Sequence, residues 1–344
     1  MFSNQLENRG EIMSSEYSPE WRKSQILNHP IFRQTLSGCL WTRPVDQLYQ
    51  QISRCMILRQ SAYIEESTGR GKSIAMEFAI NRLSQVVSQL PCVSFNAQTN
   101  YVPSVRAFFK EFLTALHHDK TTGETWELRN RVRRRLEEVA VTSSSGMVIL
   151  WVDEAQALNV ADFLFIRDVQ NGLRDIHADL LVFMTGEEPY LHRRIEEAKW
   201  SASPAVADRF AMKRMWLGGY GLNETRELFG MVDTSVWPTT SGITWTQFFL
   251  PEAFEAGFRL QSQAMACTSA LESAKLLSKE GHCQARLLKM VVQRFMLDQA
   301  HQDCPEFLAS PDAWSDAVSD SVQDYDLGSN EDDEEDGDDH KDAG

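Results

Sequence analysis

The feature that most constrains the fold is a glycine-rich loop between an apolar segment and a helix-patterned segment. It ends in Gly71-Lys72-Ser73, follows the apolar residues around Ile64, and precedes a helical pattern over residues 74–80. In a loop of this kind backbone N–H groups surround phosphates, the lysine reaches the β and γ phosphates, and the serine ligates Mg²⁺. The following helix adds the positive end of its dipole. We therefore expect ATP to contact Ser67, Thr68, Gly69, Arg70, Gly71, Lys72, Ser73 and Ile74.

Glu66 stands where the usual pattern of this loop has its first glycine. Gly69 and Gly71 must then supply the conformational freedom of the turn. A carboxylate at this position would repel phosphate if it faced the loop. We expect nucleotide binding at this loop. With Glu66 in place of the first glycine, both a normal and a slow rate of ATP hydrolysis stay open.

A second stretch supplies acidic groups. Residues 147–152 form a continuous apolar run that is closed by Asp153 and Glu154, as in a buried parallel strand with acids at its carboxyl end. We expect Asp153 to hold Mg²⁺ together with Ser73, and Glu154 to polarise the attacking water. The alternative is a buried strand capped by solvated acids. With the loop upstream, the pair predicts an ATP site.

Composition narrows the class of protein. The 344 residues, 42% of them hydrophobic, suffice for an α/β core and a second small domain. No apolar run approaches the roughly 20 residues of a membrane span, and the N-terminus lacks the pattern of a secretory signal. The six cysteines have no C-x-x-C spacing, which favours reduced thiols over a zinc site or disulfides. We therefore expect a cytoplasmic protein with no membrane partner.

Most of the net charge belongs to the C-terminal segment. Residues 311–344 hold 14 acidic side chains and one lysine, a charge of −13, against −15 for the whole chain. The remaining residues sum to −2, so they can still present a basic face. The acidic segment could mimic DNA, contact a basic partner, or be a solubilising disordered tail.

Patterns along the chain predict four parts. They are a docking segment at residues 1–44, a nucleotide-binding domain at 45–217, a helical lid at 218–310 and a disordered acidic tail at 311–344. Apolar runs within the second part predict four strands besides the one before the loop. We therefore expect an α/β fold with a three-layer αβα core, a parallel five-stranded sheet and a small C-terminal helical lid.

Three positions beyond the loop are candidates for contacts with the nucleotide. Thr185 ends an apolar run and could contact the γ-phosphate or the attacking water, or merely end a strand. Arg209 precedes the last predicted strand and suits an arginine finger that reaches a neighbouring protomer. Arg193, Arg194 and Arg214 are rivals for that role, and Arg286 in the predicted lid is a candidate phosphate contact or an exposed helix arginine.

A basic helix is a candidate for contact with DNA. Five arginines fall within residues 129–135, after a loop that contains Lys120 and Thr121. Lys, Arg and Thr side chains contact DNA phosphates without reading sequence, so Lys120, Thr121, Arg129 and Arg133 are candidate contacts. A solvated helix with salt bridges fits the same residues equally well.

The chain resembles AAA+ ATPases of the initiator type in the order and spacing of its motifs, which are Gly71-Lys72-Ser73, Asp153-Glu154, Thr185, Arg209-Phe210 and the helix of Arg286. More narrowly, it is similar to the transposition regulators TnsC, TniB and MuB in its compact size and in residues 153–158. It also resembles them in residues 185–189, where those proteins tend to have Gly-Thr-Pro. The resemblance covers residues 45–300.

The resemblance implies an ATPase that uses ATP and Mg²⁺ and assembles as a homo-oligomer on double-stranded DNA. The assembly would be a ring or helical filament of about six or seven protomers per turn. It would link a transposase to a target-selection protein of the TniQ or TnsD kind in the cytoplasm of a prokaryote. The alternatives are an initiator or loader ATPase, a STAND-type ATPase, and a nucleotide-binding scaffold with weak hydrolysis.

Overall fold

The chain folds into two compact units. The computed structural model describes residues 18–33, 36–97, 104–201 and 212–334. One unit, the sheet unit, is Pro44–Gly218, and the other, the helical unit, combines Met1–Arg43 with Gly219–Gly344. Among the described residues, no helix is both long and apolar enough to cross a membrane.

The sheet unit is built on five parallel strands. They are β1 (Ala62–Glu66), β2 (Cys92–Asn96), β3 (Met147–Asp153), β4 (Asp179–Glu187) and β5 (Lys213–Met215). Their order is β2-β3-β4-β1-β5, with β1 between β4 and β5. Strands β3 and β4 are buried along almost their whole length, as expected of parallel strands covered on both faces. The predicted α/β fold with a parallel five-stranded sheet is confirmed.

The sheet unit also contains helices, one before β1 and the others between the strands. They are α2 (Arg43–Ile57), α3 (Lys72–Val86), α4 (Val105–Ala115), α5 (Thr125–Thr142), α6 (Val160–Arg174) and α7 (Tyr190–Ser201). Side chains alternate between faces along a strand, and Leu150 and Val182 point into a core shared with α4, α5, α6 and α7. Trp151 lies one residue after Leu150, and Thr185 lies three residues after Val182, so both point to the opposite face.

In its described residues, the helical unit contains seven further α-helices. They are α1 (Pro19–Gln25), α8 (Leu222–Thr234), α9 (Trp245–Phe249), α10 (Pro251–Glu255), α11 (Ala264–Ser273), α12 (Ala285–Gln299) and α13 (Pro311–Glu334). They share a second hydrophobic core. The segment before α2 belongs to this unit, where Ile31 is buried and its carbonyl accepts a hydrogen bond from Gln293 at 2.5 Å.

The predicted disordered tail is wrong for its first part. Residues Pro311–Glu334 form α13, and its Trp314 is fully buried. The indole stacks on Phe295 at 3.8 Å between ring centroids and on Phe229 at 5.6 Å. The acidic composition concealed an amphipathic helix whose apolar residues Trp314, Ala317 and Val318 face the core of the unit. Residues 335–344 lie outside the described part.

Candidate nucleotide-binding site

Two glycines shape the loop between β1 and α3. Gly69 and Gly71 both have φ of 82°, a left-handed conformation that glycine adopts without a Cβ penalty. Gly71 is also the N-cap of α3. Glu66 is instead the last residue of β1, paired with Glu187 of β4, so its backbone is extended. Any residue can adopt an extended backbone, so this position of the loop pattern does not require a glycine in this chain.

The backbone N–H groups of the loop are candidate donors to a phosphate. In the part of the chain that the structure describes, the N–H groups of residues 68–73 donate to no protein acceptor. They include the first N–H groups of α3, which no helix can satisfy internally. Ser73 is half-buried and Ile74 exposed at this helix start. Such a set of donors fits the phosphates of a nucleotide.

Lys72 lies over the loop and faces acidic groups. Its ammonium donates to the carbonyl oxygens of Glu66 at 2.8 Å and Ser67 at 3.1 Å. Burial lowers its pKa, and the carboxylates of Glu154, Glu187, Glu66 and Asp153 oppose that shift. The loop carbonyls therefore hold the lysine, and its charge interacts with the carboxylates of Asp153 and Glu154, which the sequence predicts to act on the nucleotide.

The carboxylate of Glu66 has partners of its own. Arg70 Nε lies 3.9 Å from Glu66 Oε2, and the backbone N–H of Leu217 donates to the same carboxylate. Burial raises the pKa of Glu66, while Arg70 and Leu217 act in the opposite direction. The charge that the sequence places at the loop is thus compensated by Arg70 and by the segment after β5.

The two acids that close β3 occupy different environments. Asp153 is half-buried, and its Oδ1 accepts the hydroxyl of Thr185 at 2.5 Å. Glu154 is exposed, and its φ of 50° and ψ of 39° lie in the left-handed region. A non-glycine residue there costs on the order of 1–3 kcal/mol and is common at functional sites. The chain therefore turns directly after Asp153.

Thr185 lies beside Asp153, but its contacts differ from the expected ones. Its side chain is fully buried, and its hydroxyl bonds to Asp153 and to the indole of Trp151. The hydroxyl thus already has a donor and an acceptor inside the protein. A contact between Thr185 and the γ-phosphate or the attacking water stays a prediction.

Sequence reasoning missed a polar chain that joins the loop to Glu154. Thr68 donates to Glu187 Oε1 at 2.9 Å, and the N–H of Glu187 donates to Gln156 Oε1 at 3.2 Å. Gln156 Nε2 donates in turn to Glu154 Oε2 at 2.6 Å. Gly186 leaves room for Gln156 in this chain, because a Cβ at position 186 would lie only 2.6 Å from Gln156 Oε1. Only the adjacency of β4 and β3 brings these groups together, so no local pattern could have revealed them.

The candidate arginines are in unequal positions. Arg209 lies outside the described residues. Arg214 pairs with Glu188 at 3.1 Å and with the buried Glu65 at 3.5 Å, and Arg194 pairs with Glu197 at 2.9 Å. Within the described ranges, Arg193 makes no ion pair. The role of arginine finger stays a prediction for all four arginines.

Arg286 lies in the first turn of α12, in the helical unit. Its contact with the nucleotide phosphates stays a prediction.

The candidate DNA contacts are exposed or half-exposed, and two of them form ion pairs within the chain. Arg129 pairs with Asp168 at 2.9 Å and Arg133 with Glu137 at 2.6 Å. Lys120 is exposed, and its backbone N–H donates to His118; Thr121 is half-exposed. Exposed ion pairs contribute only about 0–1 kcal/mol, so a DNA phosphate could replace either carboxylate. The contacts stay predictions.

Comparison with known proteins identifies the class of the sheet unit. The AAA domain family matches residues 59–195. The solved structure of the Walker-type ATPase PABY2304 of Pyrococcus abyssi is similar at 12% identity, over 84% of this chain and 75% of that chain, with a TM-score of 0.50. No curated protein matches the chain significantly. Residues 59–195 thus match the AAA domain family, and the sheet unit has the AAA+ P-loop NTPase fold.

Two further solved structures are similar at lower TM-scores. The ORC1 protein of Aeropyrum pernix in complex with DNA has 10% identity over 85% of this chain and 68% of that chain, with a TM-score of 0.48. Domain III of the replication initiation protein DnaA of Thermotoga maritima has 12% identity over 84% and 96%, with a TM-score of 0.44.

Proposed function

We propose that the sheet unit binds ATP with Mg²⁺ and hydrolyses it. The observation that carries this proposal is the loop itself, whose backbone donors are unpaired in the described part of the chain and whose Lys72 faces the acids of β3. Lys72 would leave the loop carbonyls for the β and γ phosphates. Ser73 and Asp153 would hold Mg²⁺, which would neutralise charge on the phosphates. Glu154 would orient and polarise the attacking water.

Three variants test this proposal. Lys72→Ala is expected to lose binding of a fluorescent ATP analogue, whereas Glu154→Gln is expected to keep binding and lose phosphate release. Lys110→Ala is the matched control, because this lysine is exposed on α4. The proposal fails if the unaltered protein binds no ATP or if Lys72→Ala binds as tightly as the unaltered protein.

A nucleotide-binding scaffold with weak hydrolysis is the second candidate. The observation in its favour is the Glu154 carboxylate, which is held by Gln156 at 2.6 Å and must be released or redirected to act on water. In a scaffold, the unaltered protein would turn over ATP no faster than Glu154→Gln. The same assay therefore separates the two candidates.

We further propose that ATP binding drives assembly on duplex DNA, as in the transposition regulators that the chain resembles. The support is the AAA domain, the loop and the exposed basic residues of α5. Arg209 would reach the nucleotide of a neighbouring protomer, and a transposase and a target-selection protein would bind the assembly.

Electron microscopy with a slowly hydrolysed ATP analogue tests the assembly step. We expect rings or filaments around duplex DNA, and none with Lys72→Ala. Monomers that bind ATP but ignore DNA would refute the transposition proposal and leave the ATPase proposal standing.

A further inference from the structure

A buried hydrogen-bond relay ends at the carboxylate that is proposed to hold Mg²⁺. Trp151 Nε1 lies 3.0 Å from Thr185 Oγ1, which lies 2.5 Å from Asp153 Oδ1. Trp151 is 8% exposed and Thr185 fully buried. No motif singles out Trp151, which is one residue of the apolar run in β3.

The sheet geometry explains why these side chains meet. Trp151 and Asp153 are two residues apart on β3, so they point to the same face. In the β3–β4 ladder Trp151 pairs with Phe183 and Val152 with Met184, which places Thr185 level with Asp153. A one-residue change in register would turn Thr185 to the other face.

The chemistry of the three groups fixes the direction of the relay. An indole N–H can only donate, and an ionised carboxylate can only accept. Thr185 must therefore accept from Trp151 and donate its single hydroxyl proton to Asp153. Its other nearby acceptor, the carbonyl of Val152, lies at 3.5 Å, which is long for a hydroxyl donor.

We propose that Trp151 is a positioning residue that acts through Thr185 to hold Oδ1 of Asp153, and that it thereby fixes the orientation of the carboxylate that would hold Mg²⁺. This inference rests on the proposed ATPase function. It gives Thr185 a different role from the nucleotide contact that the sequence suggests, because the buried hydroxyl is used inside the protein. Groups that orient metal ligands in this way are typically worth about 10–100-fold in metal affinity or activity.

The first test needs no nucleotide. In protein labelled with ¹⁵N-tryptophan, Trp151→Phe identifies the Trp151 indole signal by its loss. That N–H is expected to exchange slowly with solvent, and Thr185→Val is expected to speed its exchange at least about tenfold, because the valine offers no acceptor. An exchange rate that Thr185→Val leaves unchanged would overturn the relay.

The second test measures the Mg²⁺ concentration for half-maximal ATP turnover. Thr185→Val is expected to raise this Mg²⁺ concentration about 10–100-fold. Trp151→Phe is expected to raise it about three- to tenfold, because Trp151 is one hydrogen bond further from Asp153 than Thr185 is. The double variant is expected to match Thr185→Val alone, because both residues act through one carboxylate oxygen. Trp126→Phe is the matched control, since this indole is 66% exposed on α5.

The outcomes separate this inference from the ATPase proposal. A purely structural role would lower the melting temperature of Trp151→Phe without changing its Mg²⁺ requirement, and that result would overturn the inference. A loss of maximal turnover in Thr185→Val at unchanged Mg²⁺ requirement would restore the nucleotide contact and also overturn it. Slow indole exchange in a protein that binds no ATP would confirm the hydrogen bonds and refute the ATPase proposal, and with it the role in holding Mg²⁺.

Discussion

Replacing Arg70 by alanine is expected to weaken ATP binding, and adding Glu66→Gly is expected to restore it. Arg70 lies beside the carboxylate that departs from the usual loop pattern. Without the guanidinium, the negative charge of Glu66 would act on the phosphates. Glu66→Gly alone should bind ATP at least as tightly as the unaltered protein, because it removes the repelling charge.

The size of the effect follows from the geometry of the pair. At 3.9 Å and an effective dielectric constant of about 20, two unit charges attract by roughly 4 kcal/mol. Both side chains are less than a quarter exposed, so solvent screens them only in part. Burial already raises the pKa of Glu66, and some protonation after loss of Arg70 would limit the penalty. We expect about 1–2 kcal/mol, or about 5- to 30-fold in the dissociation constant.

Calorimetric titration of the four proteins of this double-mutant cycle with a slowly hydrolysed ATP analogue is the assay. Arg82→Ala is the control, because Arg82 is exposed on α3 and bonds only to Gln85 among the described residues. At mildly acidic pH the penalty of Arg70→Ala should shrink as Glu66 gains a proton. If the double variant binds as weakly as Arg70→Ala, Arg70 contacts the nucleotide itself and the reasoning is refuted.

Three further predictions concern stability and DNA. Trp314→Ala should lower the free energy of unfolding of the helical unit by about 3–5 kcal/mol in urea titrations. The control is Leu308→Ala, which should change this free energy by less than about 0.5 kcal/mol, because the Leu308 side chain is 89% exposed. Burial lowers the pKa of His29 to about 3, so between about pH 6.5 and about pH 3 only the unfolded state gains the proton. Over this window the free energy of unfolding should fall by about 1.4 kcal/mol per pH unit on acidification, and His29→Phe should lack this component. Arg129→Ala with Arg133→Ala should weaken DNA binding and reduce the slope of log affinity against log salt by about 2; an unchanged slope would exclude both residues as phosphate contacts.

The strands and the loop were predictable because their signals are local. An apolar run such as residues 147–152 must be buried wherever it lies, and it is β3 in the structure. The acidic segment was misread for the opposite reason. Its net charge dominates the composition, while the packing of α13 depends on a few apolar residues, above all Trp314, that meet rings on α8 and α12.

The sequence by itself determined the glycine-rich loop, the acids at the end of β3 and the parallel α/β class. Glycine conformation, strand alternation and apolar runs act over a few residues, so they can be read along the chain. Only the tertiary structure decided that the N–H of Leu217 reaches Glu66, and that Trp151 reaches Asp153 through Thr185. Those contacts depend on which strands are neighbours and in what register, and residues far apart in sequence settle both.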